Sequence, residues 1–580
     1  MSLARLFRCP LVFCFLALFY SASTQAQPSI DPGKLPRRTL FYMFWHGAPS
    51  AEIRKNNSLF ALWDDPQFAS SHAAFIASFS NISKPDINKP AITREELDQY
   101  VPLLDNPFLV GYIPRPESHA SPTPAHGKFA VAPAWDGMFL IYDRSGKEQL
   151  LSQAVTHLRG AEQDIPKLTQ VTVAGVSALK IERKSDTTYW AEFSSYAVSA
   201  TELSVFEQVL NVLNGSTVTN SLSESPAYKE AKPALSGGLI EFFLAIPKPD
   251  QLAANSPTPA VAQLGLILSS LKLESIHSVA GRLSLDGAKT RLNGAILGDT
   301  SAGGIFDIWP EGQANPLSVS YLSPDVIAFG ESQFNLVGIY NMLKRAFAPA
   351  TTASGTPSPL ETMAQTRLGM PLTDALGILT GEVAWIQTSP VLDDSQKVYL
   401  LGITNKPNAL KLTRSLMGDR ITSERTVGTT TFLKISLHGG QSSAGVAQWN
   451  FYHLAMNPTL LFATSKTDTL QKIVAQTPAQ PDPVQFKTFL NGREKFPEKL
   501  NGLSYLDLQK LDWPGLQAKW IANSNKLPQS TKTISATNTQ QKWADWLKQV
   551  NPEVFPRHLH TMIGASWKDA NGVHFEEWLD

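Results

Sequence analysis

The feature that most constrains the fold is an order of predicted elements that occurs twice along the chain. Residues 103–114 (LLDNPFLVGYIP) and 138–143 (MFLIYD) have strand patterns, and an amphipathic helix pattern follows them. Residues 378–390 (ILTGEVAWIQTSP), 398–404 (VYLLGIT) and 405–417 repeat that order. This recurrence predicts two related units, each with antiparallel strands and helices packed on one face.

The correspondence continues past these helices. Residues 170–181 and 430–437 are predicted strands, and residues 196–210 and 460–474 each read as a strand that leads into a second helix. Residues 326–343 give a third copy of this strand-to-helix step. The repeat is far longer than the 20 to 50 residues typical of solenoids, so we expect duplicated domains and not stacked short repeats.

The predicted fold class is therefore α+β, with tandem repeated units that follow a signal peptide. Proline-rich polar segments predict loops, and they divide the chain into a first α+β unit (27–230), a middle α+β segment (231–321), a second repeat unit (322–480) and a C-terminal helix and hairpin region (481–580). Turns are predicted at Asp286–Gly287 and at Asn571–Gly572.

Residues 1–26 have the pattern of a secretion signal. Arg5 and Arg8 precede the apolar run CPLVFCFLALFY (residues 9–20), and SASTQA supplies small residues up to a predicted cleavage site between Ala26 and Gln27. The run is shorter than the about 20 apolar residues of a permanent membrane helix. We predict a periplasmic or secreted protein with no transmembrane helix after cleavage, and an envelope-anchored protein if the signal is retained.

Composition excludes several kinds of function. Both cysteines, Cys9 and Cys14, lie within the predicted signal, so the mature chain would have no disulfide, thiol nucleophile or thiolate metal site. The chain has 50 basic and 50 acidic side chains, and this balance argues against a nucleic-acid partner, which requires a basic surface. The sequence lacks the common nucleotide-binding and hydrolase motifs, and no cofactor is predicted.

Three segments and the duplicated units carry the resemblance of this chain to a known group. LPRRTLFYMFWHGAP with NNSLFALWDDPQFA, the LTGEVA strand and the duplicated units resemble exported bacterial proteins known only as domains of unknown function. The resemblance covers most of the chain after the signal. It implies export and a tandem α+β architecture, and it implies no catalytic residues.

The segment TLFYMFWHGAP (39–49) has apolar side chains at odd and even positions alike. This predicts a central strand that is covered on both faces. His46 at its end is a candidate ligand, although a capped or solvated histidine at a turn is commoner. Asp64 and Asp65 form a carboxylate pair, but Asp65 followed by Pro66 is better interpreted as a helix N-cap.

Three histidines give the one metal hypothesis. His558 and His560 would lie on one face of a strand, and His574 with Glu576 on the next strand could complete a zinc or copper site. Surface histidines remain the simpler interpretation, so no metal is predicted and these residues are only weak candidates.

Three function classes remain open. We favour an exported binding or scaffold protein without catalytic activity, which would hold an apolar small ligand or an envelope protein. The alternatives are an extracytoplasmic hydrolase whose site is assembled only in the fold, and an envelope-anchored structural protein.

Overall fold

The computed structural model describes fourteen stretches of the chain. They are residues 30–71, 99–114, 137–160, 167–183, 186–215, 220–247, 271–312, 316–323, 325–347, 359–392, 396–441, 447–475, 496–524 and 544–580. The structure of these stretches is mixed α+β, as predicted, and its centre is one antiparallel sheet.

The strands of the first part of the chain are β1 (Phe41–Trp45), β2 (Phe108–Tyr112), β3 (Met138–Asp143), β4 (Lys167–Val173), β5 (Val176–Glu182), β6 (Thr187–Phe193), β7 (Tyr196–Ala200), β8 (Ile240–Ala245), β9 (Ile276–Asp286) and β10 (Lys289–Gly298). Those of the second part are β11 (Ala328–Gln333), β12 (Leu379–Gln387), β13 (Lys397–Ile403), β14 (Ile421–Val427), β15 (Thr430–Gln441), β16 (Ala447–Met456), β17 (Leu460–Thr464), β18 (Gly502–Asp507), β19 (Thr561–Lys568) and β20 (Gly572–Leu579).

The helices are α1 (Ala51–Asn56), α2 (Ser58–Asp64), α3 (Pro66–Ala69), α4 (Glu148–Gly160), α5 (Leu203–Leu213), α6 (Pro226–Leu235), α7 (Leu336–Phe347), α8 (Pro359–Leu368), α9 (Leu372–Gly377), α10 (Lys406–Met417), α11 (Thr467–Ala475), α12 (Trp513–Ser524) and α13 (Phe555–His558). Several begin at side-chain caps that satisfy free amide groups of the first turn. Ser50, Asn57, Asp65 and Asn405 accept hydrogen bonds in this way at α1, α2, α3 and α10.

The sheet has the same strand order on both sides of its centre. From one edge to the middle the order is β4, β5, β6, β7, β3, β2, β1, β8, β9, β10, and every pair is antiparallel. From the other edge it is β14, β15, β16, β17, β13, β12, β11, β18, β19, β20. The two series meet where β10 pairs with β20, and we call this junction the seam.

The seam is centred on one residue pair. Asn293 of β10 lies opposite Glu576 of β20, and the register runs from Thr290 opposite Leu579 to Leu297 opposite Gly572. All four segments predicted from the sequence contribute strands to this sheet. The predicted hairpins at Gly287 and Gly572 join β9 to β10 and β19 to β20.

Strand β1 explains the aromatic segment of the sequence. It lies between β2 and β8, and its side chains alternate between two cores. Tyr42 and Phe44 pack under α5 and α6 on one face, which we call face A, while Met43 and Trp45 pack under α2, α3 and α4 on face B. The prediction of a central strand covered on both faces is confirmed.

In the second half of the sheet, face A is covered by different elements. Phe329, Leu400 and Phe462 pack there against α11 and against a 3-10 helix, Leu317–Tyr321. On face B, the residues that follow β18 extend across to the N-terminal helices, because Trp513 and Phe555 lie in the same core as α2 and α3.

Candidate functional site: a seam patch and a buried carboxylate cluster

The seam exposes apolar side chains on face B. Alternation along β8, β9, β10 and β20 directs six of them to that face. They are Phe242, Leu244, Val279, Leu292, Ile296 and Phe575, which we call the seam patch. Leu244, Leu292 and Phe575 are 37%, 38% and 36% exposed, so this part of the face is not covered as the flanking parts are.

Two glycines let the rings of the seam patch lie close to the backbone. Gly281 and Gly294 are opposite each other on β9 and β10. A Cβ on Gly281 would lie 2.4 Å from an atom of the Phe242 ring, and one on Gly294 would lie 1.9 Å from the Phe575 ring. Both rings therefore occupy space that any other residue at these two positions would fill.

One carboxylate borders the seam patch. Glu577 lies directly opposite Leu292 in the β10–β20 pair, on the same face. Burial raises the pKa of Glu577 above its ordinary value, and no described residue forms an ion pair with it. The patch thus combines exposed apolar surface with a single acidic group, which is the usual composition of a ligand site.

A second polar feature lies on face A, within the core of the second half. Glu331 and Gln333 of β11 and Glu382 of β12 are 3%, 1% and 2% exposed. Gln333 Nε2 donates to Glu331 Oε1 at 2.7 Å, and Gln333 lies opposite Glu382 in the sheet. Burial, and next the negative charge of Glu382, raise the pKa of Glu331 to about 8, although the bond from Gln333 opposes this shift.

Glu382 is held by backbone amides. Its two carboxylate oxygens accept hydrogen bonds from the amides of Leu317 (3.1 Å) and Ser318 (2.7 Å), at the start of the 3-10 helix. These donors stabilise the ionised carboxylate in a dry environment. We call Glu331, Gln333, Glu382, Ser318 and Asn501 the carboxylate cluster.

His46 contacts a buried carboxylate and no other candidate residue. Its Nε2 atom is 2.9 Å from Oε1 of Glu241 on β8, at ion-pair distance but without hydrogen-bond alignment. Its ring packs on Phe44, with centroids 4.1 Å apart. This geometry positions a histidine beside a carboxylate at the end of β1.

The predicted cap at Asp65 is confirmed, and Asp65 has a second role. Oδ1 accepts the amide of Gln67 at 2.8 Å, with Pro66 in the first turn of α3. Oδ2 is 2.9 Å from Nε2 of His558 and 3.4 Å from the guanidinium of Arg557. Asp64 is exposed and pairs with Arg54.

The structure separates the three histidines of the metal hypothesis. The prediction that His558 and His560 share a strand face is wrong, because His558 ends α13 and His560 lies between that helix and β19. Pro556 in the first turn favours the helix over a strand. His574 does lie on β20, as predicted for a strand residue. Its ring stacks on Trp567, and its Nε2 atom is 3.1 Å from a carboxylate oxygen of Asp569. Glu576 accepts the indole N–H of Trp578. Across the described stretches, no three His, Cys, Asp or Glu residues form a metal-binding group.

Sequence reasoning missed the seam patch and the carboxylate cluster. The signal for the cluster was present in AFGESQ, where Glu331 and Gln333 alternate in phase with the core residue Phe329. The patch had no comparable signal, since it depends on how β8, β9, β10 and β20 pair.

No described helix is long and apolar enough to cross a membrane. Comparisons with family models, with characterised proteins and with solved structures return no match to this chain. The resemblance to exported bacterial proteins therefore stays a prediction.

Proposed function

We propose that this protein is an exported binding protein of the cell envelope and that the seam patch is its binding surface. The observation that carries the proposal is the exposure of Leu244, Leu292 and Phe575, which lie on β8, β10 and β20 and on one face of the sheet. Exposed apolar patches of this kind mark ligand or partner sites, because leaving them in water is unfavourable. An apolar small ligand is the proposed occupant, and an apolar segment of an envelope protein is the alternative.

The chemistry of the patch supports binding over catalysis. Its rings and aliphatic side chains offer contact area, and the glycines beneath them hold the rings flat against the sheet. Glu577 is the one ionisable group opposite the patch residues, and it would orient a ligand that carries a hydrogen-bond donor or a positive charge.

Export is the second part of the proposal. Its support is the signal pattern of residues 1–26 and the absence of cysteine from the rest of the chain. N-terminal sequencing of the protein from the periplasm of its own cells should begin at Gln27. A protein that starts at Met1 in the membrane fraction would favour the anchored alternative.

We also propose that the chain arose by duplication of a ten-strand unit. The support is the identical strand order on the two sides of the seam, together with the corresponding helices α5 and α11 that follow β7 and β17. On this proposal the seam joins two units as a dimer interface would. The seam patch then includes side chains of both units, five from the first and Phe575 from the second.

Native mass spectrometry of the mature protein, purified from its own envelope, tests the binding proposal. The expected result is a discrete excess mass that is released on activation. Leu292→Ser and Phe575→Ser should lose this mass. Leu416→Ser is the matched control, since Leu416 is 53% exposed on α10, away from the seam. Retention of the mass by both seam variants, or a bare chain mass together with no binding of apolar probes, would overturn the proposal.

A further inference from the structure

The seam patch continues on face B into a strip of polar side chains. From Leu292 of the patch, one row of directly paired residues crosses the sheet through Glu577, Gly564, Ser504, Gly330 and Trp385. A second row runs from Phe575 through Ser566 and Gly502 to Ser332. Residues paired directly across neighbouring strands point to the same face, so both rows lie on face B. We call Ser332, Ser504, Ser566, Glu577 and Trp385 the polar strip.

A glycine lies beneath two of the serine hydroxyls. A Cβ on Gly502 would be 2.7 Å from Oγ of Ser566 and 3.6 Å from Oγ of Ser332. The two hydroxyls therefore lie over the same residue, in space that any other side chain at position 502 would fill. Because neighbouring strands are about 5 Å apart, this pair of hydroxyls begins one strand away from the Phe575 ring of the seam patch.

Two more glycines arrange the rest of the strip in the same way. A Cβ on Gly564 would be 2.6 Å from Oγ of Ser504 and 3.8 Å from Cγ of Glu577, so a hydroxyl and the carboxyl side chain meet there. A Cβ on Gly330 would be 2.5 Å from Nε1 of Trp385. The indole N–H therefore lies at the far end of the strip from the seam patch.

The polar groups of the strip are available to a ligand. All five side chains are half-buried, and no described residue forms a hydrogen bond with any of them. Two lysines border the strip and have contacts of their own. Lys397 Nζ is 4.4 Å from the centroid of the Trp385 ring, and Lys568 Nζ donates to two backbone carbonyls at 2.8 and 3.1 Å. The strip thus offers three hydroxyls, one carboxyl and one indole N–H.

These groups suit uncharged hydroxyls better than ions. A serine hydroxyl both donates and accepts hydrogen bonds, as the hydroxyls of a sugar or glycerol unit do. Burial raises the pKa of Glu577 and so favours its uncharged acid, which can also donate and accept. A phosphate or sulfate would require paired cations, and an ammonium group would use only an ionised carboxylate.

We propose that the ligand of the seam patch is an amphiphile with an aliphatic chain and an uncharged polyhydroxyl head group. The chain lies on the apolar side chains of the patch, and the head group lies on the polar strip, where it exchanges hydrogen bonds with Ser504, Ser566 and Glu577. This inference rests on the binding function proposed above, and it names the class of ligand for that surface. A site of this kind combines apolar contact area with a few polar groups that fix orientation.

Octyl glucoside, kept below the concentration at which it forms micelles, is the probe, and octanol is the matched molecule without the sugar. Isothermal titration of the full mature chain should show octyl glucoside binding at least about tenfold more tightly than octanol, because the sugar adds several hydrogen bonds. Ser504→Ala and Ser566→Ala should each weaken binding of the glucoside by about three- to tenfold, the usual effect of one hydrogen bond, and leave octanol binding unchanged.

Two further variants are matched to these. Ser320→Ala removes a hydroxyl from the 3-10 helix on face A, where it is bonded to the Leu317 carbonyl, so it should bind both molecules as the unchanged chain does. Glu577→Gln keeps a side chain that donates and accepts, so it should still bind the glucoside. Loss of glucoside binding by folded Glu577→Gln, together with tighter binding of octyltrimethylammonium than of the glucoside by the unchanged chain, would overturn the uncharged head group.

Phe575→Ser separates this inference from the binding function on which it rests. It should weaken binding of both molecules, because it removes apolar surface from the seam patch. If it does so, but the glucoside binds no more tightly than octanol or the folded serine variants bind it equally well, the head-group inference is overturned and the binding function stands. If neither molecule binds the unchanged chain, the small-ligand function of the seam patch falls together with this inference. Circular dichroism of each variant confirms that it is folded.

Discussion

Nε2 of His558 lies 2.9 Å from Oδ2 of Asp65, and this contact joins residues 493 positions apart in the chain. Asp65 also caps α3, so one carboxylate both starts a helix and fastens the C-terminal part of the chain to the N-terminal part. Burial by itself would raise the pKa of Asp65, but the bonds from His558 and the Gln67 amide and the charge of Arg557 lower it below its ordinary value.

Asp65→Ala is expected to destabilise the protein by about 2 kcal/mol or more, because it removes a helix cap and a charge-assisted hydrogen bond together. His558→Ala should cost less, about 1 kcal/mol, since the cap survives. Urea unfolding of both single variants and the double variant measures the coupling between them. Asp64→Ala is the control, as its exposed ion pair with Arg54 is worth about 0.5 kcal/mol or less. An Asp65→Ala effect no larger than that of Asp64→Ala would contradict this account.

Asn57 makes a comparable link between a helix and a hairpin. It caps α2 through the amide of Leu59 (3.1 Å), and its Nδ2 contacts the Ala288 carbonyl and Thr290 Oγ1 at the β9–β10 turn. Asn57→Ala should therefore cost about 2 kcal/mol in urea unfolding, the sum of a cap and a buried hydrogen bond. Asn56→Ala, at an exposed neighbouring position, should change stability by less than about 0.5 kcal/mol. Equal effects of the two substitutions would refute the linking role of Asn57.

The Glu577 carboxyl gives a pH-dependent prediction. Its pKa is raised in the folded chain, so the folded state holds this proton more tightly than the unfolded state does. The stabilisation is complete below the ordinary pKa of 4.5 and is lost as the pH rises through the folded pKa. The unchanged protein should thus lose thermal stability relative to Glu577→Gln as the pH is raised from below 4.5. A difference in midpoint that is constant with pH would show that Glu577 is solvated like a free carboxyl.

Local patterns were sufficient to predict the elements whose contacts are close in sequence. Strand β1 follows from its two-sided apolar pattern, and the α3 cap follows from Asp65 and Pro66. The β9–β10 turn likewise follows from Gly287. In each case the residues that determine the structure lie within a few positions of one another.

Pairing between distant strands could not be read from those patterns. Asn293 lies opposite Glu576 only because β10 and β20 are neighbours in the sheet, and the same pairing brings Phe575 to the seam patch. The carboxylate cluster likewise requires the pairing of β11 with β12, which sets Gln333 opposite Glu382. Alternation within one strand does not reveal which strand is its neighbour.

The local pattern was misleading at His558. HLH alternates as a strand would, but Pro556 fixes the backbone in a helical turn and directs His558 toward Asp65. A proline in the first turn constrains the backbone more strongly than one period of alternation does.

The pair formed by Gly294 and Phe575 allows the seam geometry to be tested directly. Gly294→Ala would place a Cβ 1.9 Å from the Phe575 ring, so it should destabilise the protein by about 1 to 3 kcal/mol and displace the ring from the seam patch. Phe575→Ala removes the obstacle, so adding Gly294→Ala to that variant should cost far less than it does alone. Urea unfolding of the unchanged protein, the two single variants and the double variant gives the coupling free energy between positions 294 and 575.

Gly377→Ala is the control for this test. The space around a Cβ at that position is open, so the substitution should be nearly neutral or stabilising. If the cost of Gly294→Ala is the same with and without the Phe575 ring, the ring does not lie on Gly294 and the seam patch does not have the shape described.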